Sequence, residues 1–261
     1  MMRALFEGRI ADFLRDAALG EAPCIFVHVP KTAGTSLRAE LAAILPPDIN
    51  IHVDYTDTSR SFSDRLDDAV ARFLEQAGPR GIRFASGHIV GRHITRIAAQ
   101  MPRARFITML RDPVARVVSD YRHQRSPRHP GHAAFSRRVP SLAAYLEARG
   151  EMDKAAQHLL PREILATRDA GACIEHVTRH FAFVGIQEMY DLSFRTLTAL
   201  AGRQQAPHLR ANVNTDEDGG AEVDAAMAER IRALNPLDCA LYTHFAEGLR
   251  RAEPALRAAL A

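Results

Sequence analysis

The fold is decided by the stretch CIFVHVPKTAGTSLRAEL, which runs from Cys24 to Leu41. Its first part, residues 24–30, is a short apolar run rich in β-branched residues, and it predicts a buried parallel strand. Its last part has apolar residues at helical spacing, which predicts a helix that ends at Pro46-Pro47. Between them lie one lysine, one glycine and three hydroxyl side chains. A strand that passes through such a loop into a helix is typical of an anion-binding turn.

The rest of the chain continues this alternation of strands and helices, which predicts an α/β fold with a central parallel sheet flanked by helices and a helical C-terminal part. We interpret residues 1–261 as one domain with a helical extension at residues 1–22. Loops are predicted at 126–140 and 208–220. Further strands are predicted within 51–57, 81–90, 104–113 and 181–186, and helices at 35–45, 63–78, 114–125, 141–149, 153–160, 171–180, 189–202 and 222–249.

The composition indicates an ordinary globular chain. Of the 261 residues, 47% are hydrophobic and 25% are charged, and the formal net charge of +3 is too small to predict nucleic-acid binding. The widely spaced Cys24, Cys173 and Cys239 predict neither a disulfide framework nor a zinc site, and they favour a reducing compartment. Charged residues interrupt the N-terminal segment, and no stretch is apolar for long enough to span a membrane. We therefore expect a cytoplasmic protein without a membrane span.

The loop PKTAGTS predicts a cradle for a phosphate-like group. A helix N-terminus offers unpaired N–H groups and the positive end of the helix dipole. Lys31 adds a charge, Gly34 lets the backbone approach closely, and Thr32, Thr35 and Ser36 add hydroxyls. The alternative is a tight turn in which Thr35 or Ser36 only caps the helix. A Walker-type loop places its lysine at the end, after a glycine, so the order here argues against an NTPase or kinase.

A second segment, FITMLRDPVARVVSDYRH, places Arg111 at the end of a strand and Ser119 on the following helix. Arg111 can hold a phosphate oxygen with its fork of N–H donors, and Ser119 can add a hydroxyl. Taken alone, this Arg-Asp-Pro turn is equally typical of a structural salt bridge at a helix start.

Together, FVHVPKTAGTSL and RDPVARVVSDY resemble the 5'-phosphosulfate loop and the 3'-phosphate segment of sulfotransferases that use 3'-phosphoadenosine 5'-phosphosulfate (PAPS). The likeness is greatest to the branch that contains heparan sulfate 2-O-sulfotransferase and its bacterial relatives. The segments SGHIVG, FAFVGIQEMYDLSFRTL and RALNPLDCALYTHF extend it from Cys24 to about Gly248. The resemblance implies a P-loop-type three-layer fold with PAPS as co-substrate. No metal ion is required if one lysine and aligned N–H groups carry the charge.

Site residues are carried over by match to these motifs. Arg111 and Ser119 would hold the 3'-phosphate, and Arg210 and Asn212 of the RANVNT loop would close over the nucleotide. The sequence does not choose an adenine-stacking residue, because the chain has no Trp and several Phe and Tyr residues. The 5'-phosphosulfate would be held by Lys31, Thr32, Ala33, Gly34, Thr35 and Ser36.

The resemblance also implies the chemistry, an in-line sulfuryl transfer to a hydroxyl of a carbohydrate or small molecule. Lys31 would stabilise charge on the leaving phosphate oxygen. His88, in the turn RFASGHIVG, matches the histidine base of the resembled branch. That branch often has a second histidine two positions earlier, where this chain has Ser86, so the acceptor type stays open. The alternative is that His88 is a turn residue bonded to the backbone.

Other polar residues receive structural interpretations. We interpret His28, inside a strand, as a satisfied core residue, and Glu188 as a structural contact to a loop rather than an acid or base. The segment from Tyr121 to Arg138 is rich in Arg and His and has no acid, so it either borders the acceptor cleft or is a solvated loop. No metal site is predicted at the histidines of this region, which have no acidic or cysteine partner: His123, His129 and His132.

Two other functions remain open at this point. One is a P-loop kinase-like phosphotransferase, which requires Mg-ATP to stabilise the protein more than 3'-phosphoadenosine 5'-phosphate (PAP) does. The other is a non-catalytic nucleotide- or carbohydrate-binding protein on the same scaffold, which would bind a nucleotide without turnover. The acceptor and the oligomeric state are not predicted.

Overall fold

A parallel sheet forms the centre of the computed structural model, which describes residues 1–54, 59–129, 131–208 and 223–261. Its strands lie side by side in the order β2-β3-β1-β4-β5, and every neighbouring pair is parallel. The predicted α/β fold with a central parallel sheet is therefore confirmed. The strands are β1 (Cys24–Val27), β2 (Asp48–Ile51), β3 (Phe84–Gly87), β4 (Arg105–Leu110) and β5 (Phe181–Ile186).

Helices flank this sheet and make up most of the C-terminal part of the chain. Up to β4 they are α1 (Met2–Phe6), α2 (Ile10–Ala17), α3 (Gly34–Ile44), α4 (Phe62–Arg80) and α5 (Gly91–Gln100). Beyond β4 they are α6 (Pro113–Arg125), α7 (His132–Arg138), α8 (Leu142–Tyr145), α9 (Lys154–Leu159), α10 (Arg162–Thr167), α11 (Ala170–His180), α12 (Tyr190–Leu200), α13 (Ala225–Leu234) and α14 (Pro236–Ala259).

The strand order places one crevice at the carboxyl edge of the sheet. The chain leaves β1 toward β2 and β3 on one side, then crosses to β4 on the other side. In open α/β sheets, ligands bind where the winding direction reverses in this way. The turns that follow β1, β3 and β4 carry Lys31, His88 and Arg111, and all three turns meet at this point.

Buried apolar residues explain why these strands lie inside. Every residue of β1, β3 and β5 is buried, as expected for parallel strands covered on both faces. The first two helices pack against α14, where Phe6 lies over Gly248, and a Cβ at that glycine would lie 2.3 Å from the Phe6 ring. A second buried cluster joins α6, α7, α8 and α13, and it includes Phe135 and Tyr145.

Several element boundaries differ from the sequence prediction. β2 begins earlier than the predicted strand at 51–57, of which residues 55–57 lie outside the described ranges; this edge strand needs only backbone pairing with β3 and does not need an apolar run. Helix α4 does not end at Gly78-Pro79. It continues to Gly81, whose φ of 57° supplies the left-handed cap. The predicted loop at 126–140 contains α7, because Phe135 is buried in the second cluster.

The C-terminal helix is also divided. The predicted helix at 222–249 is two helices that meet at Asn235 and Pro236. The Asn235 side chain donates to the Ile231 carbonyl and accepts from the Asp153 N–H, so it fills the break.

Helix α10 was not predicted, and the predicted loop at 208–220 lies almost wholly outside the described residues. Within the described ranges, no helix has the length and apolar character that a bilayer crossing requires.

Candidate active site

A cavity of about 940 Å³ lies at the carboxyl edge of the sheet. Its walls come from the turns after β1, β3 and β4 and from helix α6, so it lies where the strand order predicts a ligand site. Its polar and charged lining is His28, Lys31, Thr35, Ser36, His88, Arg111, Asp112, Ser119, Asp120, Arg122, His123, Arg128 and Gln187, and Ala33 and Gly34 complete the turn after β1.

The turn after β1 has a strained backbone. Lys31 and Ala33 have φ angles of 69° and 62°, in the left-handed region that residues other than glycine rarely adopt. Each such residue costs about 1–3 kcal/mol, and strain of this kind is concentrated at ligand sites. Thr32, between them, is fully buried and donates from Oγ1 to the Val29 carbonyl at 2.8 Å. Its hydroxyl therefore holds the turn and does not line the cavity, and the predicted contact of Thr32 with a phosphate stays a prediction.

Helix α3 starts at the cavity wall without a side-chain cap. Its N-cap residue is Ala33, and no side chain caps the helix. Gly34, Thr35 and Ser36 all line the cavity, and their N–H groups have no partner within the helix. The alternative in which Thr35 or Ser36 caps the helix is wrong. The positive end of the helix dipole and these donors form an anion-binding site.

Packing against His28 requires a glycine at position 34. A Cβ at this position would lie 2.1 Å from Cδ2 and Nε2 of His28. Even an alanine therefore cannot be accommodated unless the imidazole moves. The motif predicts a close approach of the backbone to an anion at this glycine, but it does not predict the contact with His28.

Arg111 connects the second motif to the first. Its Nη1 donates to the carbonyl of Lys31 at 3.2 Å. Asp112 caps α6 by accepting from the Ala115 N–H at 2.9 Å, with Pro113 in the first helical position. Ser119 lies about two turns along α6 and also lines the cavity. The two predicted phosphate motifs therefore face the same space.

Glu188 has the structural contact predicted for it. Its Oε1 accepts from the Asp112 N–H at 2.9 Å, so it supports the turn between β4 and α6. Asp120, which the sequence analysis did not select, lies at the cavity wall next to Ser119. It accepts from Lys154 Nζ at 2.9 Å and from the Tyr145 hydroxyl at 3.1 Å.

Burial lowers the pKa values of two cationic side chains in the cavity, Lys31 and Arg111. It lowers the pKa of Lys31; the nearby Asp120 opposes this effect, and Arg111 adds to it. Burial is also the main cause that lowers the pKa of Arg111. Cations that have lost part of their hydration gain more from an incoming anion than exposed cations do.

His88 is held in one tautomer by the backbone. Its Nδ1 lies 2.7 Å from the carbonyl oxygen of His28. A carbonyl only accepts hydrogen bonds, so Nδ1 carries the proton and Nε2 has the free lone pair. Burial lowers the pKa of His88 below its ordinary value of 6.5, which keeps the ring neutral near pH 7. A neutral ring with a free nitrogen at a cavity wall can accept a proton from a bound hydroxyl.

Comparisons with known proteins bear on the fold. No family model matches the chain. The chain is 31% identical over 185 residues to galactose-3-O-sulfotransferase 3 of Bos taurus, a match that covers 60% of this chain and 42% of that protein. The chain thus spans about two fifths of the length of this curated relative. The sulfotransferase from Alicyclobacillus acidocaldarius superposes with a TM-score of 0.50 at 19% identity, covering 85% of this chain and 95% of that one.

The chain has the fold of a sulfotransferase. The family resemblance drawn from the sequence motifs is confirmed at this level, while the assignment to one branch stays a prediction. A mouse sulfotransferase, SULT7A1 complexed with PAP, is also similar, with a TM-score of 0.43, 17% identity and coverage of 82% of this chain and 64% of that one.

In this sulfotransferase fold, His28 does not have the role that its sequence pattern predicted. It lines the cavity and stacks on His88, with ring centroids 4.1 Å apart and an interplanar angle of 29°. The interpretation as a satisfied core residue is therefore wrong. Strand β1 ends at Val27, so the side chain of position 28 lies just beyond the strand, at the edge where ligands bind. That position was the signal that sequence reasoning missed.

The segment from Tyr121 to Arg138 borders the cavity. Arg122, His123 and Arg128 all line it, so a purely solvated loop is wrong for this part of the segment. Arg210 and Asn212, the other predicted nucleotide contacts, lie outside the described residues. Among the residues that the structure describes, no three His, Cys, Asp or Glu side chains cluster as metal ligands would.

Proposed function

We propose that this protein is a sulfotransferase that moves a sulfuryl group from PAPS to a hydroxyl of a carbohydrate or small molecule. One observation carries the proposal: a single cavity is lined by the uncapped start of α3 with Lys31, by Arg111 with Ser119, and by His88. Two anion-binding places and a neutral base in the same cavity match a donor with two phosphate groups and an acceptor that must lose a proton.

On this proposal the two motifs bind opposite ends of the donor. The N–H groups of Gly34, Thr35 and Ser36 would hold the 5'-phosphosulfate, and Arg111 and Ser119 would hold the 3'-phosphate. Charge develops on the oxygen between sulfur and the 5'-phosphate as that bond breaks, and the Lys31 ammonium would stabilise that charge. The hydrogen bond from Arg111 to the Lys31 carbonyl at 3.2 Å supports a fixed spacing between the residues that would bind the two ends of the donor.

His88 would accept the proton of the acceptor. As the acceptor oxygen forms its bond to sulfur and the bond from sulfur to the 5'-phosphate oxygen breaks, the hydroxyl proton passes to His88 Nε2. The products are a sulfate ester and PAP. The Nδ1–H bond to the His28 carbonyl supports this role, because it orients the ring and leaves Nε2 free.

The acceptor class is proposed from the cavity and from one relative. The cavity of about 940 Å³ leaves room for part of an acceptor beside a nucleotide. The relative in cattle is named for galactose-3-O sulfation, so sugar hydroxyls are the first acceptors to test. The cations from the Tyr121–Arg138 segment at the cavity wall fit a polar acceptor and the donor equally.

A direct assay tests the reaction. The purified protein is incubated with PAPS and panels of galactosides, other sugars and small alcohols, and release of PAP is followed. Lys31→Ala is expected to lower kcat by about a hundred- to thousandfold, as removal of a group that stabilises developing charge does. His88→Ala is expected to lower it by about a hundred- to ten-thousandfold. His180→Ala, an exposed histidine on α11, is the matched control and should keep wild-type turnover.

Ligand-induced stabilisation separates the alternatives. A sulfotransferase should be stabilised more by PAP than by Mg-ATP at equal concentration, because only PAP has a 3'-phosphate for Arg111 and Ser119. Greater stabilisation by Mg-ATP would instead identify a phosphotransferase. PAP binding without turnover on any acceptor, with no effect of His88→Ala on any property, would identify a binding protein.

A further inference from the structure

His28 lies between the proposed base and the proposed donor loop. On one side its ring stacks on His88 at 4.1 Å between centroids. Its ring atoms Cδ2 and Nε2 also fill the space that a Cβ of Gly34 would occupy, 2.1 Å from that position. One flat side chain therefore separates the residue that would take the proton from the helix start that would hold the sulfuryl group.

The backbone of His28 fixes the same arrangement. Its N–H donates to the Gly87 carbonyl at 3.0 Å, which extends the pairing of β1 with β3 by one residue. Its own carbonyl accepts from His88 Nδ1 at 2.7 Å. Phe26, two residues earlier on the same face of β1, stacks on the His28 ring at 5.3 Å and 17°. The His28 ring is thus in contact with the rings of both Phe26 and His88.

We propose that His28 is a positioning residue, which sets the separation and orientation of His88 relative to the start of α3 by acting as a rigid spacer. The role rests on the proposed function, since it concerns the alignment of that reaction. In-line transfer depends steeply on alignment, and a displacement of about 1 Å can cost about a hundredfold in rate. A flat ring in contact with Phe26, His88 and Gly34 has little freedom to move, whereas a smaller aliphatic side chain would leave a gap.

His28 is not a second base. Burial lowers its pKa to about 2, and the neighbouring His88, His158, Arg38 and Lys31 all act in the same direction. A group with so low a pKa stays neutral and is a very weak proton acceptor near pH 7. This neutrality is what a spacer requires, because a charged ring would repel His88 when that residue takes a proton, and would repel Lys31 as well.

Two substitutions of His28 separate a spacer from a catalytic group. His28→Phe keeps a flat ring and removes both nitrogens, and His28→Ala removes the ring. We expect His28→Phe to keep most of the wild-type kcat. We expect His28→Ala to lower kcat by about ten- to a hundredfold, with KM for PAPS changed less than about threefold. His180→Ala is the unaffected control. If His28→Phe lowers kcat by as large a factor as His28→Ala does, the proposed role of spacer is wrong.

Gly34→Ala provides a double-mutant cycle. In the wild-type background its Cβ must displace the His28 ring, so we expect a loss of kcat comparable to that of His28→Ala. In the His28→Ala background the space is empty, and the same substitution should cost little more. If Gly34→Ala lowers kcat by the same factor in both backgrounds, Gly34 and His28 act independently, and the proposal is overturned.

A readout without turnover keeps this test separate from the test of function. Nuclear magnetic resonance titration of the imidazoles reports the pKa of His88 directly. Loss of the stacked ring admits water, so the pKa of His88 should rise toward 6.5 in His28→Ala and stay lowered in His28→Phe. An unchanged His88 titration in His28→Ala overturns the proposal. Absence of turnover in wild type, with the expected shift in His88, would instead refute the proposed reaction and leave the contact established.

Discussion

At the scale of single residues, the site depends on burial that changes charge. Burial lowers the pKa of Lys31 and Arg111, so both cations favour an anionic partner. The same effect keeps His88 neutral and therefore able to accept a proton. One physical cause, the loss of water from a cavity wall, thus prepares an anion receptor and a base side by side.

The pH dependence of activity is the first prediction at this scale. His88 must be unprotonated to act, so kcat/KM should be high above the pKa of His88 and should fall as the pH drops through it. Because burial lowers that pKa from 6.5, the acid midpoint should lie below pH 6.5. The measurement is kcat/KM against pH with saturating PAPS. The acid limb should disappear in His88→Ala, and a wild-type midpoint at or above 6.5 would contradict the assignment.

Some residues of the candidate site can be predicted from the sequence, and others cannot. The Lys31 loop, Arg111, Ser119 and His88 were predicted because each belongs to a local motif at a strand end, and the structure brings them to one cavity. The relation between His28 and Gly34 could not be predicted. It depends on how the first turn of α3 lies against β1, and residue spacing does not encode this.

At the scale of elements, local sequence patterns predict the buried strands. They do not predict helices whose stability depends on tertiary contacts. The apolar runs of β1, β4 and β5 were recognised from sequence because strands buried in a parallel sheet need nothing else. Helix α7 was missed because its neighbours are Arg, His and Pro, while its stability comes from burial of Phe135 in a cluster formed by distant helices. Propensity is a weak guide when packing supplies most of the stability.

The contact between α5 and α9 gives a prediction at this scale. Gly91, the first residue of α5, lies so close to the chain after α9 that a Cβ would be 1.9 Å from the Leu160 carbonyl oxygen. Gly91→Ala should therefore destabilise the protein by about 2–3 kcal/mol, because backbone cannot move aside cheaply. The free energy of unfolding is measured in urea.

Gly150→Ala is the matched control for this substitution. A Cβ added at Gly150 would meet no atom within 4 Å, and the φ of this glycine is not in the left-handed region. Alanine there should be neutral or should stabilise by up to about 1 kcal/mol through the unfolded chain. Similar losses of stability in both variants would show that the tight contact of Gly91 is not the cause.

At the scale of the whole molecule, the sheet order brings the histidines together. His28 follows β1, His88 follows β3, and His158 on α9 has its ring centroid 6.4 Å from that of His88. Positions 130 residues apart in sequence are thus neighbours at one edge of the sheet. His158 Nδ1 donates to the Ile89 carbonyl at 2.7 Å, and burial lowers its pKa to about 3.

This clustering predicts a loss of stability in mild acid. His158 has a folded pKa of about 3 and an ordinary value of 6.5 when exposed in the unfolded chain. The folded state therefore binds fewer protons, so the stability that is present above pH 6.5 is lost as the pH falls toward 3. At about pH 5, His158 alone should account for a loss of about 2 kcal/mol in the free energy of unfolding. His28 should act in the same direction.

His158→Asn isolates this contribution, since its amide N–H can replace the Nδ1–H donor to the Ile89 carbonyl without titrating. Carboxylates such as Asp120 and Asp238 titrate alike in both proteins, so they cancel in the comparison. Unfolding in urea at pH 7 and pH 5 should give a difference between the two pH values that is smaller in His158→Asn by about 2 kcal/mol. Equal pH dependence in the two proteins would mean that His158 is not held neutral by its burial among α9, Ile89 and His88.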